Sequence, residues 1–183
     1  PALRPLYLIS FLSMGGFVTA YNYIGFRLTR PPYDLGHAAV GAIFVVYLAG
    51  IVASPLAGAM ADRIGRVPVL IGGILMALAG MAISLAEPLW AIVVGITGLT
   101  FGFFTTHTAA SGWIGRIARR NQSHASALYL LAYYAGSSIA GSSGGVVWRW
   151  GGWGAVAGFV GLLYLAAMIA ALVVAKLTKA PPA

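Results

Sequence analysis

The sequence predicts an all-α membrane protein of six transmembrane helices arranged as a 3+3 inverted repeat. Three observations carry that reading. Of the 183 residues, 60% are hydrophobic and only 8% charged, whereas a soluble domain carries about 25% charged residues. There is too little polar surface to cover a water-soluble globule. Six runs of about 20 residues contain no Lys, Arg, Asp or Glu, and each is long enough to cross the hydrocarbon core as a helix. The charges collect in the turns between these runs. A formal net charge of +8 therefore reads as topogenic loop charge and not as a nucleic-acid footprint, and no nucleic-acid partner is expected. Cysteine is absent, which excludes disulfide and thiol chemistry.

The spans run over about 5–26, 38–61, 67–86, 89–113, 124–148 and 153–175, giving one bundle over 1–179 and a short tail over 180–183. Pro1 begins close to the first span, and no cleavable signal peptide is read. Arg27 to His37 with Pro31-Pro32 separates the first two spans. Asp62 to Arg66 forms the second turn, Glu87-Pro88 the third, Arg116 to Gln122 the fourth and Arg149 to Gly152 the fifth. Pro55 removes a backbone donor inside the second span and should bend it. With six spans both ends lie on one side. That side holds Arg4, Arg63, Arg66, Arg116, Arg119, Arg120, Lys176 and Lys179, and the other holds Arg27, Arg30 and Arg149 with Asp34 and Glu87. The positive-inside rule places both termini in the cytoplasm.

An offset of 86 residues superimposes the two halves. Tyr47, Gly50, Gly58 and Arg63 match Tyr133, Gly136, Gly144 and Arg149, and Gly16, Phe17 and Thr19 match Gly102, Phe103 and Thr105. A period of three helices puts the copies in opposite orientations, the inverted-repeat construction of many transporters. Polarity sorts the spans. The third and sixth are almost wholly apolar and read as lipid-facing. The first, fourth and fifth carry many hydroxyls, which at membrane depth face protein or a wet cavity, and with the second they form the expected inner set. Gly136, Ala140 and Gly144 share a face of the fifth span, and Gly98 and Gly102 one of the fourth. Such small-residue faces let helix backbones approach closely.

His107 is the one ionisable group besides tyrosine placed well inside a span. It reads either as a solute-binding or titrating group or as a neutral imidazole bonded to a nearby Thr or carbonyl. Tyr21 and Asn22 on the first span, with Tyr129, Tyr133 and Ser137 on the fifth, are the other candidates for a solute cavity, since aromatic faces bind apolar or cationic solutes. Trp113, Trp148, Trp150 and Trp153 fall at span ends and read as interface anchors. No metal or cofactor site is expected. Gly141-Ser142-Ser143-Gly144 fits a serine-protease pattern, but no His follows on a later span to act as base, so the chain is read as not an enzyme.

Gly58, Asp62, Arg63, Gly65 and Arg66 spell G-x-x-x-D-R-x-G-R at a turn between spans, which resembles the loop signature of the major facilitator superfamily, although Val67 stands where a second basic residue is usual. The resemblance covers nearly the whole chain and implies one six-helix half of that fold. Ser111-Gly112-Trp113-Ile114-Gly115 and the stretch from Ala127 to Ser138 are similar to the late helices of bacterial inner-membrane efflux-type members, which points to the C-terminal half. The resemblance further implies half of a secondary active transporter, working by alternating access on a small-molecule solute with protons as the coupling ion and efflux by antiport as the mode. The turn would be a conformational latch. The partners implied are the lipid bilayer and the other six-helix half, from the same full-length chain or a second copy. A non-transporting membrane scaffold or assembly protein is the alternative.

Overall fold

A computed structural model describes residues 2–179. Helices α1 (Leu3–Leu28), α2 (His37–Ile43), α3 (Ala49–Arg63), α4 (Arg66–Ile83), α5 (Leu89–Ile117) and α6 (Gln122–Lys179) account for nearly all of them. The described residues contain no strand. A 3-10 stretch, Phe44–Leu48, joins α2 to α3, so residues 37–63 make one crossing. Helix α6 is two helices, interrupted by non-helical backbone at Gly151 and Gly152. Gly152 has φ +56° and ψ −141°, a conformation that a side chain would strain. Glycine there lets the chain fold back on itself.

The reversal is visible in what α1 touches. Ser10 donates to the Tyr129 carbonyl at 3.2 Å, and Tyr23 lies beside Gly144 and Trp148. The first limb of α6 therefore runs parallel to α1. Tyr164 on the second limb donates to the Ser13 carbonyl at 3.2 Å, and Trp153 reaches the turn near Arg27, so that limb runs antiparallel. The result is six crossings, the last two being the limbs of α6, with residues 3 and 179 at the same end.

Two helices organise the rest. α1 packs on both limbs of α6, and α5 packs on α3 and α4. These are equivalent arrangements under the 86-residue offset. Gly102 seats α5 against Gly73 and Ala77, and its repeat mate Gly16 seats α1 against Val160 and Tyr164, within one residue of the positions the offset gives. The inverted repeat is thus expressed in the packing.

Backbone contact makes these pairings. A Cβ on Gly95 would lie 2.5 Å from the Ser84 nitrogen, and one on Gly73 2.6 Å from the Thr106 hydroxyl. On α6, Gly136 meets the Phe11 backbone, Ala140 meets Gly15, and Gly144 meets Thr19 and Tyr23. No hydrophobic force pulls helices together in lipid, so close van der Waals approach at small residues is what holds them.

The structure departs from the sequence expectation at Trp153 and adds two features of the second crossing that the sequence did not show. α3 continues as a helix through Pro55, and the same crossing tightens into a 3-10 stretch upstream. Phe44, Val45, Val46 and Tyr47 are β-branched or aromatic, poor helix formers crowded into one turn. The 37–63 crossing is also the least buried of all, with 17% of its apolar window covered. Val45, Leu48, Ile51 and Val52 stand exposed on it, so a place in the inner set gives it no buried stripe of its own here. Trp153 is not an interface anchor. It is 7% exposed, and its indole donates to the Ser84 carbonyl at 3.0 Å. Arg27 donates to the same carbonyl and to Ala86 at 2.8 Å. A cation on the open carbonyls at the end of α4 satisfies groups that would otherwise go unpaired and complements the helix dipole.

Replacing Gly80, whose Cβ would run into the α5 backbone at Gly95 to Leu99, by leucine should force α4 and α5 apart and cost about 3 kcal/mol. Gly158→Leu, where nothing lies within 4 Å of a Cβ, should change stability little. Thermal unfolding of the two variants in detergent checks the contrast.

Candidate functional site

A cluster of aromatic rings lies between α1, the 3-10 stretch, α5 and the first limb of α6. It begins at Tyr21, with Phe17 at 4.7 Å and Tyr47 at 5.2 Å between ring centroids. Phe17 stacks on Phe103 at 4.1 Å, and Phe103 carries the cluster to His107 at 5.9 Å. Tyr133 sits 5.2 Å from His107, and Tyr134 5.3 Å from Tyr133. The helical period explains the line-up. Phe103 and His107 are one turn apart on α5, as are Tyr129 and Tyr133 on α6, so each pair shares a face. Tyr47 and Tyr134 are 43% and 63% exposed, so the cluster is open at its outer edge.

Two hydrogen bonds fix the buried part. The Thr100 hydroxyl donates to the Ile96 carbonyl at 2.8 Å and so accepts from the Tyr21 phenol at 2.6 Å. The Tyr129 phenol lies 3.1 Å from His107 Nδ1 and 3.4 Å from the His107 carbonyl. This arrangement serves either protonation state. With Nδ1 bare, the phenol donates to the ring. With Nδ1 protonated, the phenol accepts from it and turns its own proton to the carbonyl. The imidazole borders a cleft of about 170 Å³ that also takes in Ser111, Ser126 and Tyr129. No carboxylate is present: Asp62 lies in the last turn of α3, at the end of the bundle, and Asp34 and Glu87 lie in the connecting loops. Among the described residues no group of His, Asp and Glu is placed to hold a metal.

Of the residues singled out in the sequence, His107, Tyr129 and Tyr133 come together, and Tyr21 joins them through Phe17 and Phe103. Ser137 is half-buried one turn beyond Tyr133. Asn22 does not join. It is exposed and turned toward Gly141 on α6. Phe17, Tyr47, Phe103 and Phe104 belong to the cluster and were missed as site residues. The repeat carried the signal, for Tyr47 is the offset mate of Tyr133 and Phe17 of Phe103.

The charged turn is built differently. Gly65 opens α4 with φ +91° and ψ 162°, a region closed to residues with a Cβ. Asp62 takes a 2.8 Å ion pair from Arg116 at the end of α5 and lies 3.9 Å from Arg66. Arg66 is largely covered, because Gly112 leaves room for its guanidinium against α5. Gly58 has open space around it, and Arg63 is exposed. Arg116 was not singled out from the sequence. An ion pair across 54 residues leaves no local pattern.

Six apolar crossings related by an inverted repeat, with the polar aromatic groups on the first, second, fourth and fifth, define a membrane transporter-type half-bundle. A family profile described as Major Facilitator Superfamily matches residues 5–183, and the chain belongs to that superfamily. It is 40% identical over 179 residues to the Bacillus subtilis (strain 168) protein named uncharacterized MFS-type transporter YybF, covering 98% of this chain and 44% of that one. It is 44% identical over 164 residues to the inner membrane transport protein YnfM of Escherichia coli (strain K12), covering 90% and 39%. A Buchnera aphidicola subsp. Schizaphis graminum protein, named as an uncharacterized transporter, is 34% identical over 176 residues, covering 96% and 43%. The chain thus spans less than half the length of the curated relatives it matches.

Gly65→Ala should lower stability by about 1–2 kcal/mol through the strained φ alone. Asp62→Asn should cost under about 1 kcal/mol, because both ends of the Asp62–Arg116 pair are more than half exposed and water screens them. Chemical denaturation of the two variants side by side would reverse this ranking only if the ion pair and not the backbone holds the turn.

Proposed function

We propose that this bundle is one half of a secondary active transporter that moves a small solute across the bacterial inner membrane by alternating access. The observation that carries the reading is the His107–Tyr129 pair, set in an aromatic wall that opens at the edge of the bundle. The wall offers ring faces and hydroxyls to a solute, and the imidazole offers a proton carrier that keeps a partner in both states. Superfamily membership supports transport as the class of activity. The printed name of YnfM supports the inner membrane, and the asymmetry of loop cations supports cytoplasmic termini. A second six-helix bundle, from the same full-length chain or another copy, closes the site from the opposite side. The late-helix likeness favours the C-terminal position and an efflux direction. The Asp62 turn acts as a conformational latch, in which Asp62 exchanges Arg116 for a group of the facing half as the bundle rocks.

The test uses the whole protein in proteoliposomes. Cysteine placed at positions 107, 133 and 137 should react with a membrane-impermeant maleimide. Protection at all three would mark a packed bundle and favour a scaffold role. A pH-indicator dye trapped inside should report proton movement when a panel of small solutes is added. His107→Gln should reduce that movement at least tenfold, and Tyr129→Phe by less. Full proton movement in His107→Gln would place the coupling group elsewhere.

A further inference from the structure

We propose that the depression between the start of α1, the 117–122 turn and the start of α6 binds the headgroup of an anionic phospholipid. The depression holds about 520 Å³. Its rim carries Arg119, Arg120 and His124, all exposed, and its wall carries Leu3, Tyr7 and Leu128. Leu128 is 50% exposed one turn deeper along α6 than His124. The gradient from cations at the rim to apolar surface one turn in is the profile of a lipid at the membrane border, with phosphate above and acyl chain below.

The charge is not used internally. Asp62 is the one carboxylate at this end among the described residues, and Arg116 and Arg66 already hold it. Asp34 and Glu87 lie in turns at the opposite end. No carboxylate stands within ion-pair distance of Arg119 or Arg120 among the described residues. Positive charge that only marked topology would be satisfied by cations dispersed over open loops. Here two adjacent arginines and a histidine border a concave site whose wall suits a lipid tail. The proposal stands whichever solute the protein carries.

The whole protein is placed in nanodiscs of phosphatidylcholine doped with phosphatidylglycerol, and retained lipid is counted by native mass spectrometry. Wild type should retain phosphatidylglycerol in preference to phosphatidylcholine. Each surface arginine contributes about a five-fold preference, so Arg119→Gln with Arg120→Gln should weaken retention about twenty-five-fold. Lys176→Gln, a charge removed from the same end but outside the depression, should change it less than two-fold. An equal loss in Lys176→Gln would reduce the effect to general surface charge and overturn the proposal. A photoreactive phosphatidylglycerol applied to the unmutated protein gives a readout that does not depend on a variant folding. Adducts should map to residues 3–7 and 117–128. Adducts spread evenly over the other exposed apolar faces would overturn it. Displacement of the lipid by glycerol phosphate at equal concentration would make the ligand a soluble phosphate ester and would also overturn it.

Discussion

Everything in this bundle depends on how closely α1 and α5 can be approached. In lipid the apolar side chains of a helix gain nothing by leaving their surroundings for another helix, so association rests on contact area and on backbone proximity. Gly73, Gly80, Gly95 and Gly102 supply it for α4 against α5, and Gly15, Gly136 and Ala140 for α1 against α6. Because the contacts are backbone to backbone, they set helix spacing rigidly. The aromatic rings then fill the wider space between α1 and α5. Phe17 and Phe103, repeat mates, stack at the centre of that space.

The polar groups divide between two kinds of work. At the end opposite the termini, Arg27 and Trp153 converge on the Ser84 carbonyl and close the end of α4. That is structural work, and it is fully buried for Ser84. At the end that carries residues 3 and 179, the Asp62–Arg116 ion pair is solvent-exposed, so it holds geometry at little energetic advantage and can be exchanged at little cost. Between the two ends, His107 and Tyr129 form a pair with acceptors for either protonation state.

Much of this was legible in the sequence, and the misses have physical causes. The repeat of Gly16 with Gly102 and of Gly50 with Gly136 was readable because close packing tolerates only the smallest residues. Trp153 was misread because a tryptophan at a span end looks the same whether its indole meets a lipid headgroup or a buried carbonyl. Asn22 was placed with Tyr21 because they are neighbours in sequence, yet residues one apart on a helix point about 100° apart. The exposed second crossing was unreadable for a similar reason. Polarity shows that a face is apolar but not whether lipid or protein will cover it.

The sequence by itself determined the class, the number of crossings, the repeat and the sorting of charge, since each follows from the energetic demand that hydrocarbon makes on every residue within it. The tertiary structure alone decided which groups meet. Arg116 reaches Asp62 from 54 residues away, Tyr47 joins Tyr133 in one aromatic wall, and Arg119 and Arg120 come to border the same hollow as Leu3 and Tyr7. These pairings depend on helix rotation and spacing, which the glycine contacts set and which no local pattern in the chain encodes.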